Sequence, residues 1–245
     1  METAIITGAG QGLGRAIALR LAADGSAIAV LDVDAEAGAE TYRLVTDDGG
    51  MARAYVVDLR DESAIVEATD AADADLGPVR VLVNNAAIFP SGPFLDTPTD
   101  EYDDVIRVNQ RAYWLAAQNA ARLMRAHGGG AIVNMGSITA HGGWADMAGY
   151  VVTKGAAATL TRALATELGQ YEIRVNCVAP GAFPTRAEEV HPDREAYDRR
   201  IIDSQALKRR GTFAELAAAV SFLAGPDASF VTGQTLNVDG GWIMT

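Results

Sequence analysis

Short apolar runs alternate along the chain with longer segments in which apolar residues recur every three or four positions. The runs predict strands at residues 3–6, 27–31, 52–57, 79–84, 131–135, 173–178 and 235–238. The periodic segments predict helices near residues 12–24, 35–46, 61–76, 99–126, 148–169 and 213–224. Strands that are apolar on both faces must be covered on both sides. The alternation therefore predicts an α/β fold, a parallel sheet with helices on both faces.

The chain carries no linker-like run, low-complexity tract or internal repeat, so we expect one domain over residues 1–245. The least regular part is 180–212, which holds Pro180, Gly181, Pro184 and Pro192 and then several basic residues. A connection of this length in a compact domain is often a binding loop. We expect a substrate loop, or lid, over about residues 182–212.

Composition and charge narrow the class of protein. The chain is 49% hydrophobic and 21% charged, which is typical of a globular protein. Residues 1–104 carry 20 acidic and 6 basic groups, and this acidic half argues against a nucleic-acid partner. We expect neither a signal peptide nor a membrane span, because no basic leader and no long uncharged apolar window is present.

The few cysteine and histidine residues bear on metal binding and on the cellular compartment. Three His and one Cys argue against a zinc site built by the protein, so we predict no metal. Cys177 lies in an apolar run and has no partner for an intrachain disulfide. A buried free thiol fits a reducing compartment, so we expect a cytoplasmic protein.

A glycine-rich turn follows the first predicted strand and precedes a predicted helix. Glycine lets the backbone turn sharply, and the N–H groups at a helix start attract a pyrophosphate. The spacing predicts a dinucleotide site and differs from the usual G-x-G-x-x-G, because residue 13 is Leu. A flexible loop is the alternative. The candidate cofactor residues of this turn are Gly8, Gln11, Gly12, Leu13 and Gly14.

Acidic residues end the second and third predicted strands. Asp32 lies 18 residues beyond Gly14, where a carboxylate accepts hydrogen bonds from the adenosine ribose and repels a 2′-phosphate. Gln11 occupies a position where a basic residue could have bound that phosphate, so we predict NAD rather than NADP. Asp58, followed by Leu59, resembles Asp32. The alternative for both aspartates is capping of the helix that follows.

Tyr150 and Lys154 are spaced by one helical turn, so both side chains face the same direction. A phenol has a pKa of about 10 and is a poor base near neutrality. A fixed cation beside it favours the phenolate, so we expect Lys154 to lower the pKa of Tyr150. Lys154 and Lys208 are the only lysines among 20 basic residues, which makes a chance lysine at this position less credible.

Taken together and in order, the motifs resemble those of the classical short-chain dehydrogenase/reductase family over essentially all 245 residues. The resemblance implies a single Rossmann-like domain with a seven-stranded parallel sheet, assembled as a homotetramer. Ala87 departs from the glycine that the family pattern has there, which should narrow the nicotinamide site. The motifs are Thr7-Gly8-x3-Gly12-x-Gly14, Asn84-Asn85-Ala86-Ala87, Asn109, Ser137, Tyr150-x3-Lys154, Pro180-Gly181 with Thr185, and Val238-Asp239-Gly240-Gly241.

The same resemblance implies roles for single residues. Tyr150 would be the general acid and base, Lys154 would also bind the nicotinamide ribose, and Ser137 would position the substrate oxygen. Asn109 would hold a water that connects Lys154 to solvent. Cofactor contacts would also come from Asn84, Asn85, Ala86, Pro180, Gly181 and Thr185.

The substrate pocket should be formed by the residues after the fourth predicted strand, by the loop after Ser137 and by the expected lid. Most residues of these three segments are apolar or aromatic. These walls predict a small hydrophobic or aryl secondary alcohol, or its ketone, as the substrate, with no metal in the reaction. One alternative is a 3-oxoacyl-thioester reductase that uses the basic residues near 194–210. Another is a non-catalytic dinucleotide sensor. The predicted pocket residues are Ile88, Phe89, Thr139, His141, Trp144, Ala182 and Phe183.

Overall fold

A parallel sheet forms the centre of the protein. Within residues 1–185, 188 and 193–244, which the computed structural model describes, it has seven strands. Their order is β3-β2-β1-β4-β5-β6-β7, and every neighbouring pair is parallel. The strands are β1 (Thr3–Thr7), β2 (Ala27–Asp32), β3 (Ala52–Val56), β4 (Val79–Asn84), β5 (Gly130–Met135), β6 (Ile173–Pro180) and β7 (Thr235–Val238).

The strand order explains where a ligand site can form. From β1 the chain moves outward to β2 and β3, and then returns to place β4 on the other side of β1. The connections after β1 and β4 therefore diverge, and a cleft opens at the carboxyl ends of these two strands. The predicted α/β fold with a seven-stranded parallel sheet is confirmed, and each predicted strand is present within two residues of its predicted ends.

Helices cover both faces of the sheet, as predicted. On one face, Ala4 and Ile6 of β1 pack with apolar residues of α1, α2 and α8. On the other face, Ile5 packs with residues of α3, α5 and α6, so alternate strand positions supply the two cores. The helices are α1 (Gly12–Ala23), α2 (Ala35–Asp47), α3 (Glu62–Leu76), α4 (Thr99–Ile106), α5 (Ala112–Ala126), α6 (Ala148–Leu168), α7 (Arg194–Ser204) and α8 (Phe213–Ala224).

The single helix predicted over residues 99–126 is interrupted. A π-helical turn, Arg107–Arg111, separates α4 from α5, and Asn109 lies in it. A π turn inserts one extra residue and leaves backbone groups without their normal partners, so such turns are found where a side chain must be redirected. The apolar periodicity continues across the turn, which is why the sequence pattern predicts one helix.

A helix lies within the segment that we expected to be irregular. Asp193 caps α7, its carboxylate accepting from Ala196 N at 2.8 Å. The helix is rich in charged residues and buries only Ile201 among its own residues, so its apolar periodicity is too weak to predict it. Residues 186–187 and 189–192 of the expected lid lie outside the described ranges.

Arg210 holds the described parts of this segment together. Its guanidinium pairs with Glu188 and with Asp198 of α7, and it donates to the Ala182 carbonyl at 3.1 Å. Arg210 and Glu188 are both largely buried, so this ion pair is shielded from solvent.

In the part of the chain that the structure describes, no helix is long and apolar enough to cross a membrane.

Candidate active site

A cavity of about 880 Å³ opens at the carboxyl ends of the strands. It runs from the glycine-rich turn after β1, past the ends of β2, β4 and β5, to the start of α6 and to α7. This is the position that the strand order predicts for a ligand. Its volume suits a dinucleotide fragment together with a small substrate.

Close backbone approach explains the glycines of the turn. Gly8 has φ +63°, and a Cβ there would lie 2.9 Å from the Cα of Ala86. A Cβ on Gly14 would collide with the Gly8 carbonyl oxygen, so α1 can begin this close to β1 only with glycine there. Gly12 also has positive φ, and open space surrounds it. The alternative of a flexible loop does not fit so constrained a turn.

Hydrogen bonds join this turn to the end of β4. The Thr7 hydroxyl accepts from the backbone N–H groups of Asn85 at 2.9 Å and Ala86 at 3.1 Å. The Asn85 side chain donates to the carbonyls of Thr7 and Gly8. The floor of the cavity is therefore held in place by hydrogen bonds within the protein. The residues of this region that line the cavity are Gly8, Gln11, Leu13, Asn85 and Ala86. Gly12 and Gly14 are not among the lining residues and act through the shape of the turn.

Asp32 lies at the cavity and does not cap the helix that follows it. Its carboxylate accepts from Gly10 N at 2.7 Å and Asp34 N at 3.0 Å, which fixes it at the end of β2. Asp34 is the residue that caps α2, by accepting from Glu36 N and Ala37 N. The capping alternative for Asp32 is therefore wrong.

Asp58 behaves in the same way at the end of β3. Asp61 caps α3, while Asp58 and Leu59 line the cavity. The Arg60 guanidinium donates to Asp58 at 2.7 Å, and this hydrogen bond lowers the pKa of the Asp58 carboxyl. Asp58 thus presents a charged, paired carboxylate at the edge of the cavity.

Ser137, Tyr150 and Lys154 meet at the inner end of the cavity. Ser137 follows β5, and Tyr150 and Lys154 lie in the first two turns of α6, so all three line the cavity. The Ser137 hydroxyl accepts from Thr139 N at 3.2 Å, so it also fulfils the turn role that was its alternative. Lys154 Nζ lies 5.5 Å from the centroid of the Tyr150 ring.

The expected lowering of the Tyr150 pKa by Lys154 is not what the structure gives. Burial raises the pKa of Tyr150 to about 12, and a hydrogen bond with Ser137 offsets only part of this. Burial also lowers the pKa of Lys154 to about 8, because the charged ammonium is removed from water. Desolvation therefore outweighs the attraction between the two groups, although Lys154 still carries its charge below pH 8.

Tyr113 is a residue of this cluster that sequence reasoning missed. The Lys154 ammonium donates to the Met135 carbonyl at 2.8 Å and to the Tyr113 hydroxyl at 3.3 Å. Tyr113 is 1% exposed and Lys154 is 2% exposed. Tyr113 belongs to α5, and no spacing motif connects it to Lys154, so the pattern of the sequence contained no signal for it.

Asn109 is buried and does not line the cavity. Its amide accepts from Ile88 N at 2.8 Å and donates to the Ile88 carbonyl at 2.7 Å and to the Thr153 hydroxyl at 3.2 Å. The π turn directs the side chain towards the segment that follows β4. Asn109 thus fixes Ile88 beside Thr153, the residue that precedes Lys154. Its predicted role of holding a water stays a prediction.

The end of β6 and the C-terminal tail form another wall. Pro180, Gly181 and Thr185 line the cavity as predicted. Gly181 lies so near β7 that a Cβ would be 2.8 Å from the Cα of Asp239. The Asp239 carboxylate accepts from Gly241 N and Ile243 N, which folds the tail back and places Trp242 at the cavity.

Apolar and aromatic residues dominate the outer part of the cavity. Phe89 packs edge-on against Tyr150 at 5.8 Å between ring centroids, and Trp144 packs edge-on against Trp242 at 5.4 Å. Of the predicted pocket residues, those that line the cavity are Ile88, Phe89, Thr139, Trp144, Ala182 and Phe183.

The prediction for His141 is wrong. Its side chain is exposed at the end of a short 3-10 turn, Ile138–His141, and is not among the residues that line the cavity. The turn rotates residue 141 away from the direction of Thr139. Lining residues that the sequence did not indicate include Tyr197, Arg200 and Ile201, all on the unpredicted helix α7.

The residues present fit a nicotinamide dinucleotide. The glycine turn leaves open space at the start of α1, where a pyrophosphate can meet backbone N–H groups. Asp32 and Asp58 would hold the adenosine end, and Lys154, Pro180, Gly181 and Thr185 would hold the nicotinamide end. Both ends open into the same cavity.

Comparisons with known proteins agree with this geometry. The family model described as enoyl-(acyl carrier protein) reductase matches residues 8–243. A short-chain reductase, NovJ of Streptomyces niveus, is 37% identical over 98% of this chain and 93% of its own. The 5-keto-D-gluconate 5-reductase of Escherichia coli K12 is 34% identical over 98% of this chain and 94% of its own.

Solved structures are equally similar. A 7α-hydroxysteroid dehydrogenase complexed with NADH and 7-oxo glycochenodeoxycholic acid superposes with a TM-score of 0.94 at 34% identity. The match covers 100% of this chain and 95% of that one. A gluconate 5-dehydrogenase from Burkholderia cenocepacia, in complex with NADP and tartrate, has a TM-score of 0.93 at 35% identity, with 98% and 94% covered. With a family model over nearly the whole chain and relatives above 30% identity, the protein belongs to the classical short-chain dehydrogenase/reductase family of oxidoreductases.

Proposed function

We propose that the protein is an NAD-preferring oxidoreductase that interconverts a small hydrophobic secondary alcohol, aliphatic or aryl, and its ketone. The observation that carries this proposal is the meeting of Ser137, Tyr150 and Lys154 in the cavity that also holds Asp32. When bound, the nicotinamide supplies the hydride acceptor for oxidation and the donor for reduction. The protein contributes position, charge and proton transfer.

The roles of the side chains follow from their atoms. In oxidation the Tyr150 phenolate takes the proton of the substrate hydroxyl, and in reduction the phenol returns it. The Ser137 hydroxyl holds the substrate oxygen beside Tyr150, whose pKa it lowers. The Lys154 ammonium lies 5.5 Å from the centroid of the Tyr150 ring, and below pH 8 its positive charge favours the phenolate that forms during the reaction. Asn109 lies behind the cavity wall and supports it through hydrogen bonds to Ile88 and Thr153.

The preference for NAD rests on the adenosine end. The Asp32 carboxylate would accept from both ribose hydroxyls and would repel a 2′-phosphate. The two nearby arginines are already bound, Arg60 to Asp58 and Asp104, and Arg15 to Thr41 and the Gly10 carbonyl. Similar structures contain NADH in one case and NADP in another, so the choice depends on such local residues.

The apolar walls favour a hydrophobic substrate over a polyol. We expect the highest kcat/KM on aliphatic or aryl secondary alcohols, with polyols, sugar acids and 3-hydroxyacyl thioesters at least tenfold lower. Initial rates of nicotinamide reduction, with NAD fixed at saturation, measure this order. A rate confined to polyols or sugar acids would contradict the assignment of the substrate while leaving the chemistry of Tyr150 intact.

The second candidate function is reduction of a 3-oxoacyl thioester. Arg200 lines the cavity and makes no ion pair within the described residues, so it could meet an anionic group of a thioester carrier. The neighbouring arginines weigh against a docking surface, because Arg199 pairs with Glu195 and Arg209 pairs with Glu215. Activity on thioesters alone would make this candidate the function.

We propose a homotetramer in a reducing cytoplasm. Trp114 of α5 and Val152 of α6 are exposed on one side, and Phe222 of α8 and Phe230 on another. Two separate apolar patches allow two kinds of two-fold contact, which together close a tetramer. Light scattering should give four chains of 25.7 kDa, and a monomer at micromolar concentration would refute this assembly. The buried free thiol of Cys177 supports the compartment.

A further inference from the structure

The ammonium of Lys154 has a second protein partner besides a backbone carbonyl. Lys154 has three N–H donors, and the structure uses one on the Met135 carbonyl at 2.8 Å and one on the Tyr113 hydroxyl at 3.3 Å. The third donor remains for the cavity side, where Tyr150 lies. The Met135 carbonyl and the Tyr113 hydroxyl therefore fix the position of the Lys154 ammonium.

Tyr113 is well placed to be one of these acceptors. It lies in α5, just after the π turn that carries Asn109, and is almost completely buried. Its hydroxyl donates to the Met135 carbonyl at 3.4 Å, so its lone pairs face Lys154. The Asn109 amide is bound to Ile88 and Thr153, which leaves the phenol oxygen as the side-chain acceptor next to the ammonium.

The groups that face Lys154 carry little compensating charge. Tyr150 faces it from α6, Tyr113 from α5 and Cys177 from β6. Within the described residues no carboxylate forms an ion pair with Lys154. A buried ammonium without a carboxylate keeps its proton only through neutral acceptors, so each acceptor should affect its titration strongly.

We propose that Tyr113 is a positioning residue for Lys154: its hydroxyl oxygen holds the ammonium against the Met135 carbonyl and keeps it protonated beneath Tyr150. This inference rests on the proposed function only for its effect on turnover. The effect on Lys154 itself is independent of turnover, because the hydrogen bond joins two side chains of the protein. A purely structural Tyr113 would fill space without altering the titration.

The chain has only two lysines, which makes a direct test possible. In protein labelled with 13C at lysine Cε, the NMR spectrum contains two lysine signals, and Lys208→Arg assigns them. We expect Tyr113→Phe to lower the titration midpoint of Lys154 by about one pH unit, because the protonated form loses an acceptor. Tyr55→Phe removes a hydroxyl bound to Asp75 and is the matched control, with no expected shift.

A Lys154 midpoint within about 0.2 units of wild type in Tyr113→Phe would overturn the proposal, as would an equal shift in Tyr55→Phe. Should Tyr113→Phe fail to fold, 13Cζ-labelled wild type offers the second test. Of the seven tyrosine signals, one that persists in Tyr150→Phe should then shift with the same midpoint as Lys154, and the absence of such a signal also counts against the proposal.

The kinetic arm separates this inference from the proposed function. If the wild type oxidises an alcohol, the pH profile of kcat/KM in Tyr113→Phe should move with the NMR midpoint. A pH profile that stays unchanged while the NMR midpoint moves would contradict an effect of Tyr113 on turnover. If the wild type oxidises no alcohol, the proposed function fails, and the NMR titration still decides the role of Tyr113.

Discussion

Replacing Tyr150 by phenylalanine should reduce kcat for alcohol oxidation by about 10³-fold, because proton transfer by a positioned side chain contributes roughly 10²–10⁴-fold. The ring that packs against Phe89 at 5.8 Å remains, so the cavity wall is preserved. The dissociation constant for NAD should change less than about threefold, because the variant loses one oxygen from a large contact surface. Single-turnover rates and fluorescence titration with NAD measure the two quantities separately.

Tyr171→Phe is the matched control for this loss. Tyr171 lies under the Arg125 guanidinium at 4.8 Å, away from the cavity, and its variant should keep the wild-type kcat. A Tyr150→Phe variant that turns over at more than about a tenth of the wild-type rate would show that another group transfers the proton. A large loss of NAD affinity in the same variant would instead point to a damaged cofactor site.

Replacing Asp32 by alanine should lower the ratio of kcat/KM with NAD to kcat/KM with NADP by about 100-fold. Two effects add, since the variant loses charged acceptors for the ribose hydroxyls and also loses the repulsion of a 2′-phosphate. Each factor of ten corresponds to about 1.4 kcal/mol, so the change requires roughly 2.8 kcal/mol in total. Initial rates with both cofactors at subsaturating concentration give the ratio.

Asp34→Ala provides the control, because Asp34 is the neighbouring acid that caps α2 and is not among the residues lining the cavity. Loss of the cap should cost about 1 kcal/mol of stability and leave the cofactor ratio unchanged. An unchanged ratio in Asp32→Ala would mean that another residue selects the cofactor. A shift of equal size in both variants would indicate a general effect of charge at this end of the cavity.

The fold was predictable because its signals are local and repeated. Each buried strand is a short apolar run, and each covering helix shows apolar residues at three- and four-residue spacing. The parallel arrangement followed from strands that are apolar on both faces. Parallel strands require covered faces, and the connections between them are helices.

The two errors in the predicted fold arise where the apolar periodicity does not follow the structure. The π turn over Arg107–Arg111 changes the backbone by one residue without changing the apolar pattern, so one helix was predicted where the structure has two. Helix α7 is rich in charged residues and packs through Ile201, so it carries almost no periodicity. Contacts such as the ion pair of Arg210 with Asp198 depend on the tertiary structure, so no local sequence pattern predicts them.

The site was predictable where motif residues carry the chemistry. Ser137, Tyr150 and Lys154 meet as expected, and Asp32 and Asp58 reach the cavity because strand ends converge in a parallel sheet. Tyr113 was not predictable, because it meets Lys154 only through the packing of α5 against α6. The pKa of Tyr150 depends on burial, which the sequence does not contain.

The most direct test of the proposed activity is reduction of the nicotinamide by wild-type protein, followed by absorbance at 340 nm with NAD and NADP in parallel. One hydrophobic secondary alcohol serves as substrate, and Tyr150→Phe is measured beside it. We predict reduction of the nicotinamide in the wild type, faster with NAD than with NADP, and its loss in Tyr150→Phe. No reduction of either cofactor with any alcohol, or equal rates in wild type and variant, would contradict it.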